Sequence, residues 1–272
     1  MKCGIWSIGV CSWSLAAGIA DVAEAMQKLG LDHIHLAIRP AIEEDGPRYL
    51  ATVRAQNWTI SSTMIDFPQE DYSSLETIRI SGGIAPDEHW CKNRELFFAA
   101  VDATVQLGVR YLSTHIGFID HTRTDYATRF YDRVQVLADA ADRNGIQLLL
   151  ETGQESAADL RWFLEELGHP AVGVSFDPAN MILYNKDDPT QAARILAPWI
   201  KHVHIKDAVR TQIPGAWGAE VPWARGEVGG EKFLKVLKEI GFDGVLAIER
   251  ESGDDRLGDI SLALNRLVRF DG

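Results

Sequence analysis

Four short apolar runs in the second half of the chain each end on one side chain able to bind a metal or move a proton. Residues 145–150 lead to Glu151, Val172–Phe176 to Asp177, residues 200–203 to His204 and residues 244–248 to Glu249. The intervals between these four residues are 26, 27 and 45 positions. The first two match one strand–helix unit each, and the third holds one unit plus an extra loop. Carboxylate and imidazole together suit Mn²⁺, Mg²⁺, Co²⁺ or Zn²⁺. Any one of the four taken alone is explained equally well as a polar cap on a strand. Four at one structural level are better explained as a divalent-metal site flanked by carboxylates.

The elements that must position them alternate along the whole chain. Strand-like runs are expected at 7–14, 33–38, 59–64 and 110–115, ahead of the four already named. Between them lie segments of helical period at 15–29, 46–56, 87–107, 125–144, 157–167, 189–196, 231–240 and 259–268. Gly30, Gly108, Gly145, Gly168 and Gly241 stand where most of these helices stop. Strand–helix alternation of this kind means a parallel sheet. A closed (β/α)8 TIM barrel takes about 250 residues, and the chain has 272. No Gly-x-Gly-x-x-Gly follows the first strand, so nothing recommends an open dinucleotide-binding sheet. The expected fold is therefore α/β, one (β/α)8 TIM barrel spanning 1–272, with the C-terminal strand ends meeting at one mouth. Segments 65–86 and 207–229 are rich in Gly and Pro and are expected as long loops.

Composition narrows the partners. A formal net charge of −12 argues against a phosphate-backbone binder, so no nucleic acid is expected. Cys3, Cys11 and Cys91 are sparse, odd in number and without a Cys-x-x-Cys, which suits a reducing cytoplasm. The N-terminus has no signal-peptide apolar core, and no run approaches the ~20 residues of a membrane span. Glu155, Glu165, Glu166, Asp254 and Asp255 are expected as solvated surface charge.

Three runs carry a resemblance: Ser-Phe-Asp-Pro-Ala-Asn at 175–180, His-Val-His-Ile-Lys-Asp at 202–207, and Gly-Phe-Asp-Gly at 241–244 closing on Ile248-Glu249. With them the chain resembles the xylose isomerase-like TIM barrel superfamily of sugar and sugar-phosphate isomerases and epimerases. The likeness spans nearly the whole chain, is clearest over 145–251, and is nearest to the ketose 3-epimerase branch. It implies metal ligands Glu151, Asp177, His204 and Glu249, with Mn²⁺ foremost, and Glu151 and Glu249 as the acid/base pair. It takes the second His of His-x-His. Strand alternation puts His202 on the same face but deeper, as a packed or hydrogen-bonded group. The implied chemistry is removal of a proton beside a carbonyl and its return, the metal acting as Lewis acid.

Further substrate contacts are expected from His115, Asn180, Arg225 and Trp13. Asn180 stands where many relatives carry a His. A satisfied core histidine explains His115 as well, a solvated loop residue explains Arg225, and plain packing explains Trp13, Trp217 and Trp223. Lys206 and Asp207 are placed to orient His204. The resemblance also implies a small-molecule sugar partner and a homo-oligomer, a dimer or tetramer. The same metal mouth would serve an inosose or keto-glycoside isomerase, a dehydratase or a hydroxypyruvate isomerase. An apurinic endonuclease of this superfamily is the distant alternative, and the chain lacks its larger His set.

Overall fold

Strand and helix alternate until the sheet closes on itself. The structure is a computed structural model that describes residues 1–270. Among these, eight parallel strands form the barrel: β1 Trp6–Cys11, β2 His33–Ala37, β3 Thr59–Ile65, β4 Tyr111–Thr114, β5 Gln147–Glu151, β6 Val172–Phe176, β7 Ile200–Ile205 and β8 Val245–Ile248. Each pairs with its neighbour in chain order, and β1 pairs with both β2 and β8, which closes the ring. Around it run α1 Ile19–Leu29, α2 Gly46–Arg54, α3 Leu75–Ser81, α4 Trp90–Gln106, α5 Thr124–Arg143, α6 Ala157–Leu167, α7 Pro178–Leu183, α8 Pro189–Leu196, α9 Gly230–Glu239 and α10 Arg256–Val268.

The two faces of the strands differ in kind. Ile8, Val10, Ile34, Leu36, Leu148 and Leu246 are fully buried and share one apolar cluster with Met26, Phe97, Leu137, Phe163 and Leu237 of the helices. Each such side chain contributes about 1.5–3 kcal/mol on burial. The alternate positions, which face the barrel axis, are mostly small or polar, Gly9, Cys11, His35, Ser113, Ser175 and His202 among them, with Leu149 beside Ser113 an apolar exception. A barrel interior is usually filled by Val, Ile and Leu. Here the apolar core is the layer between strands and helices, and the interior is left for imidazoles and hydroxyls.

Four local features differ from the sequence expectation. The first strand ends at Cys11 rather than 14, because Ser12–Leu15 turns into a 3₁₀ helix closed by Ala16 in the left-handed region (φ 48°). Segment 65–86 is not all loop: Ser74 and Thr77 form a reciprocal cap that nucleates α3. Segment 207–229 contains an antiparallel pair, Asp207–Val209 with Ala219–Val221. Helix α7 was not expected at all. Its six residues are started by Asp177, whose side chain accepts from the Ala179 and Asn180 amides, with Pro178 in the first turn.

Gly83 fixes how segment 65–86 docks on the exit of β4. It lies in the left-handed region (φ +60°), and a Cβ there would sit 2.0 Å from the Ile116 carbonyl carbon. Its amide donates to Glu70 Oε1 at 2.9 Å, and its carbonyl accepts from Asn93 Nδ2 at 2.9 Å. Gly83→Ala meets both a strained backbone and a collision, so it is expected to cost more than about 1 kcal/mol. Thermal unfolding should show a melting point at least ~2–4 °C lower; an unchanged value would mean the segment does not dock in this way.

Candidate metal centre

Four strand exits deliver the site. Glu151 is the last residue of β5, and Asp177 follows β6 directly. His204 lies on β7 and Glu249 follows β8. One ligand atom from each comes within 4.8 Å of every other. The register supports this, because His204 pairs with Ala247 and Glu151 with Ser175 across adjacent strands.

Each group is held by one atom and free at another. Asp177 Oδ1 caps α7, accepting from Ala179 N at 2.8 Å, while Oδ2 has no hydrogen-bond partner. Glu249 Oε1 accepts from the Trp13 indole N–H at 2.6 Å, while Oε2 has no hydrogen-bond partner. His204 Nδ1 lies 3.1 Å from Glu151 Oε1 and 3.1 Å from Glu249 Oε2, yet neither contact has hydrogen-bond geometry. Buried polar atoms are almost always paired. Three buried atoms without a hydrogen bond, two of them facing the Lys206 ammonium, converge from a carboxylate–imidazole set; a divalent cation would satisfy them, so the residues fit one.

The surrounding charge is strongly biased. Lys206 Nζ lies 2.6 Å from Glu251 Oε2, 3.2 Å from Glu249 Oε2 and 3.5 Å from Asp177 Oδ2. Burial raises the Glu249 carboxyl, but Lys206, His204 and the Trp13 indole outweigh it and hold it well below the usual range. Burial pushes Asp177 up to about 7 against the pull of Lys206. Burial lowers His204, and Glu249, Cys11 and Glu151 more than reverse that. Burial holds His35 and His202 well below the ordinary imidazole range, and neighbouring imidazoles push them further.

The other expected site residues divide. Trp13 is drawn in through its bond to Glu249. Asn180 is committed to the backbone, Nδ2 donating to the Thr152 carbonyl at 2.8 Å. His115 is buried just past β4, its Nδ1 3.6 Å from Glu70 Oε1, and neither ring nitrogen is hydrogen-bonded among the described residues. Arg225 is exposed on the loop, and its side chain has no polar partner among the described residues. Of the loop tryptophans, Trp223 is buried against Phe233 and Trp217 lies edge-on to Tyr184 at 4.7 Å. His202 is enclosed, its Nε2 3.0 Å from Ser61 Oγ.

Three residues were missed or misjudged. His35 lies 3.0 Å from His204 through Nδ1···Nε2; its signal was position on a strand that faces the axis. Gln154 is buried with both amide atoms unpaired. Glu155, expected as solvated surface charge, is only 6% exposed. The loop after β5 folds inward there, and burial pushes its carboxyl up to about 7.

Comparisons with known proteins place this geometry in context. A family model described as xylose isomerase-like TIM barrel matches residues 23–268. A xylose isomerase domain protein from Planctomyces limnophilus is 28% identical, with a TM-score of 0.86 over 99% of this chain and 97% of that one. A xylose isomerase-like TIM barrel protein from Mycobacterium smegmatis, in complex with magnesium, is 20% identical with a TM-score of 0.75 over 100% of both chains. A D-tagatose 3-epimerase-like protein is 18% identical with a TM-score of 0.73, over 97% of this chain and 98% of that one. No curated protein matches the sequence.

Glu155 gives a test of this inward loop. Its carboxyl stands at about 7 in the fold against an ordinary 4.5. Between those values the folded chain holds a proton that the unfolded chain releases. That contribution to folding is complete below about pH 4.5 and is lost as pH rises through about 7. Glu155→Gln carries no charge at any pH. It is expected to stabilise the protein at pH 8 by up to about 3 kcal/mol and much less at pH 5. Denaturant titrations at the two pH values check this; equal effects would place the carboxyl in solvent.

Proposed function

The chain belongs to the xylose isomerase-like TIM barrel family, and on that premise we propose that it is a metal-dependent sugar isomerase or epimerase of the ketose 3-epimerase kind. The observation that carries the reading is the convergence of Asp177 Oδ2, His204 Nδ1 and Glu249 Oε2, three buried atoms without hydrogen-bond partners, beside Glu151. Glu151, Asp177, His204 and Glu249 would hold the ion, with Mn²⁺ foremost and Mg²⁺, Co²⁺ or Zn²⁺ compatible with the same donors. A divalent ion there supplies Lewis-acid polarisation of a substrate carbonyl and its neighbouring hydroxyl.

The protein's own groups move the proton. Glu151 and Glu249 approach His204 Nδ1 at 3.1 Å each, from the fifth and eighth strands. A sugar carbon seated between them presents one face to each carboxylate. One removes the proton beside the carbonyl, and the other returns a proton to the opposite face. Trp13 keeps the Glu249 carboxylate turned so that Oε2 faces the site. His115, Gln154 and Glu155 stand nearby as readers of the remaining hydroxyls.

The substrate is proposed to be an unphosphorylated sugar or sugar derivative. Most cations near the mouth are already engaged, Arg225 being an unpaired exception among the described residues. Lys206 is held by Asp177, Glu249 and Glu251, Arg250 by Glu220 and Asp259, and Arg210 by Glu227. A phosphate would meet carboxylates instead. The cytoplasm and a homo-oligomeric state complete the proposal; the three cysteines are free, as a reducing compartment would keep them.

The test is metal content after dialysis, then Mn²⁺, Co²⁺ or Mg²⁺ added back to the protein with free ketoses in D₂O. Deuterium should enter a carbon beside the carbonyl only with metal present. Glu249→Gln should keep the fold and slow that exchange by about 10²–10⁴-fold. Bound metal without exchange would redirect the reading to an inosose, a keto-glycoside or another modified sugar. Failure to bind any of the three ions would overturn it.

A further inference from the structure

The carbonyl of Thr63 is the fixed end of a hydrogen-bond chain that crosses the barrel interior to His204. A carbonyl can only accept. Ser113 Oγ lies 2.9 Å from it and donates its one hydrogen there. Ser62 Oγ donates to the same carbonyl at 3.0 Å. His35 Nε2 lies 2.7 Å from Ser113 Oγ and 3.4 Å from the Thr63 carbonyl. With the serine hydrogen already committed, both neighbours of Nε2 are acceptors, so Nε2 carries the hydrogen.

The other side of the His35 ring follows from enclosure. His35 is wholly buried, and its hydrogen-bond partners include no carboxylate. A second proton would be an unpaired buried charge, which costs several kcal/mol. Nδ1 is therefore a bare lone pair, and it faces His204 Nε2 at 3.0 Å. Cys11 Sγ, 4.0 Å from the same atom, is at best a weak second donor. His204 Nε2 must donate.

We infer that this chain, from Thr63 through Ser113 and His35, sets the tautomer of His204 and leaves its Nδ1 as the ligating nitrogen. Nδ1 is the atom that faces Glu151 and Glu249 at 3.1 Å. His35 is thereby a positioning residue: it touches no substrate and acts through His204, fixing ring orientation and making Nδ1 the better donor. The inference rests on the metal reading of the site. It adds an interior histidine whose polar order matters, not its volume. Ligating histidines generally donate their second ring N–H to such a partner, and losing the partner costs about 10–100-fold in metal affinity.

The experiment pairs histidine-ring ¹⁵N spectra with Mn²⁺ and Zn²⁺ affinities measured by chelator competition. In the metal-free wild-type protein, His35 should show Nε2 protonated and Nδ1 bare. With Zn²⁺ bound, His204 should show coordination at Nδ1 and a proton on Nε2. His35→Leu should weaken both ions by about 10–100-fold. His35→Gln should restore most of that, because its amide oxygen can accept from His204 while its NH₂ donates to Ser113.

Equal losses in the Leu and Gln variants, or no loss in Leu, would overturn the inference. So would a proton on His35 Nδ1. Coordination at both His35 and His204 Nε2 would overturn it too, since Cys11, His35 and His204 would then form a cage of their own. A wild-type protein that binds neither ion overturns the metal reading instead, and the His35 spectrum still decides the hydrogen-bond order. If His35→Leu does not fold, Ser113→Ala replaces it, with a loss in the same direction expected.

Discussion

The structure depends on burying carboxylates of like charge at one barrel mouth. Asp177 and Glu249 are almost without solvent, and Glu151 and Glu251 stand beside them. Isolated buried charges are expensive, and pairing repays the cost only when geometry and extra hydrogen bonds are good. Lys206 and the His204 imidazole supply the pairing, and the Trp13 indole and the α7 amides supply the bonds. The indole and the amides each take one carboxylate oxygen and leave the other, Glu249 Oε2 or Asp177 Oδ2, facing Lys206. An excess of negative charge remains, which a divalent cation would offset, so the same carboxylates that cost stability suit the proposed ion.

That cost is tolerable because the barrel draws its stability elsewhere. The outward strand residues and the helices form one continuous apolar layer. The interior can then hold three imidazoles, with ring centroids 4.5 to 5.7 Å apart, and the hydroxyls that satisfy them. A column of aliphatic side chains would pack as well, but it could not orient His204. The polar interior is therefore continuous with the site above it, through the contact of His35 with His204.

What was legible in the sequence follows the same division. The strand carrying Leu148 and Leu150 reads as apolar because the outward layer needs it, and Glu151 stands out at its end. The same contrast exposes Asp177, His204 and Glu249. Helices α6 and α8 were read to the residue because Gly168, Pro170 and Pro198 punctuate them. Helix α7 is too short for a period; it exists because Asp177 caps it, so its signal is one side chain. His35 alternates with Ile34 and Leu36 like any strand polar residue, and only closure of the barrel brings it against His204. Glu155 looks like surface charge because burial of a loop residue is decided by the elements that fold over it.

The exits of β1 and β8 and the 207–229 segment are tied together by one arginine. Arg250 donates to Glu220 at 2.8 Å and to Asp259 at 2.9 Å, and its amide donates to Ser14 Oγ at 2.9 Å. Glu220 also accepts from the Glu251 amide at 3.1 Å. Ser14 adjoins Trp13, and Arg250 adjoins Glu249, so the bond between Trp13 and Glu249 is framed by this network on both sides. The network is polar and lies outside the apolar layer. Residues elsewhere in segment 207–229 can therefore differ while the barrel keeps the core it folds around. The exposed Arg225 and the half-buried Trp217 sit on that segment outside the apolar layer, so changing them leaves the barrel core intact.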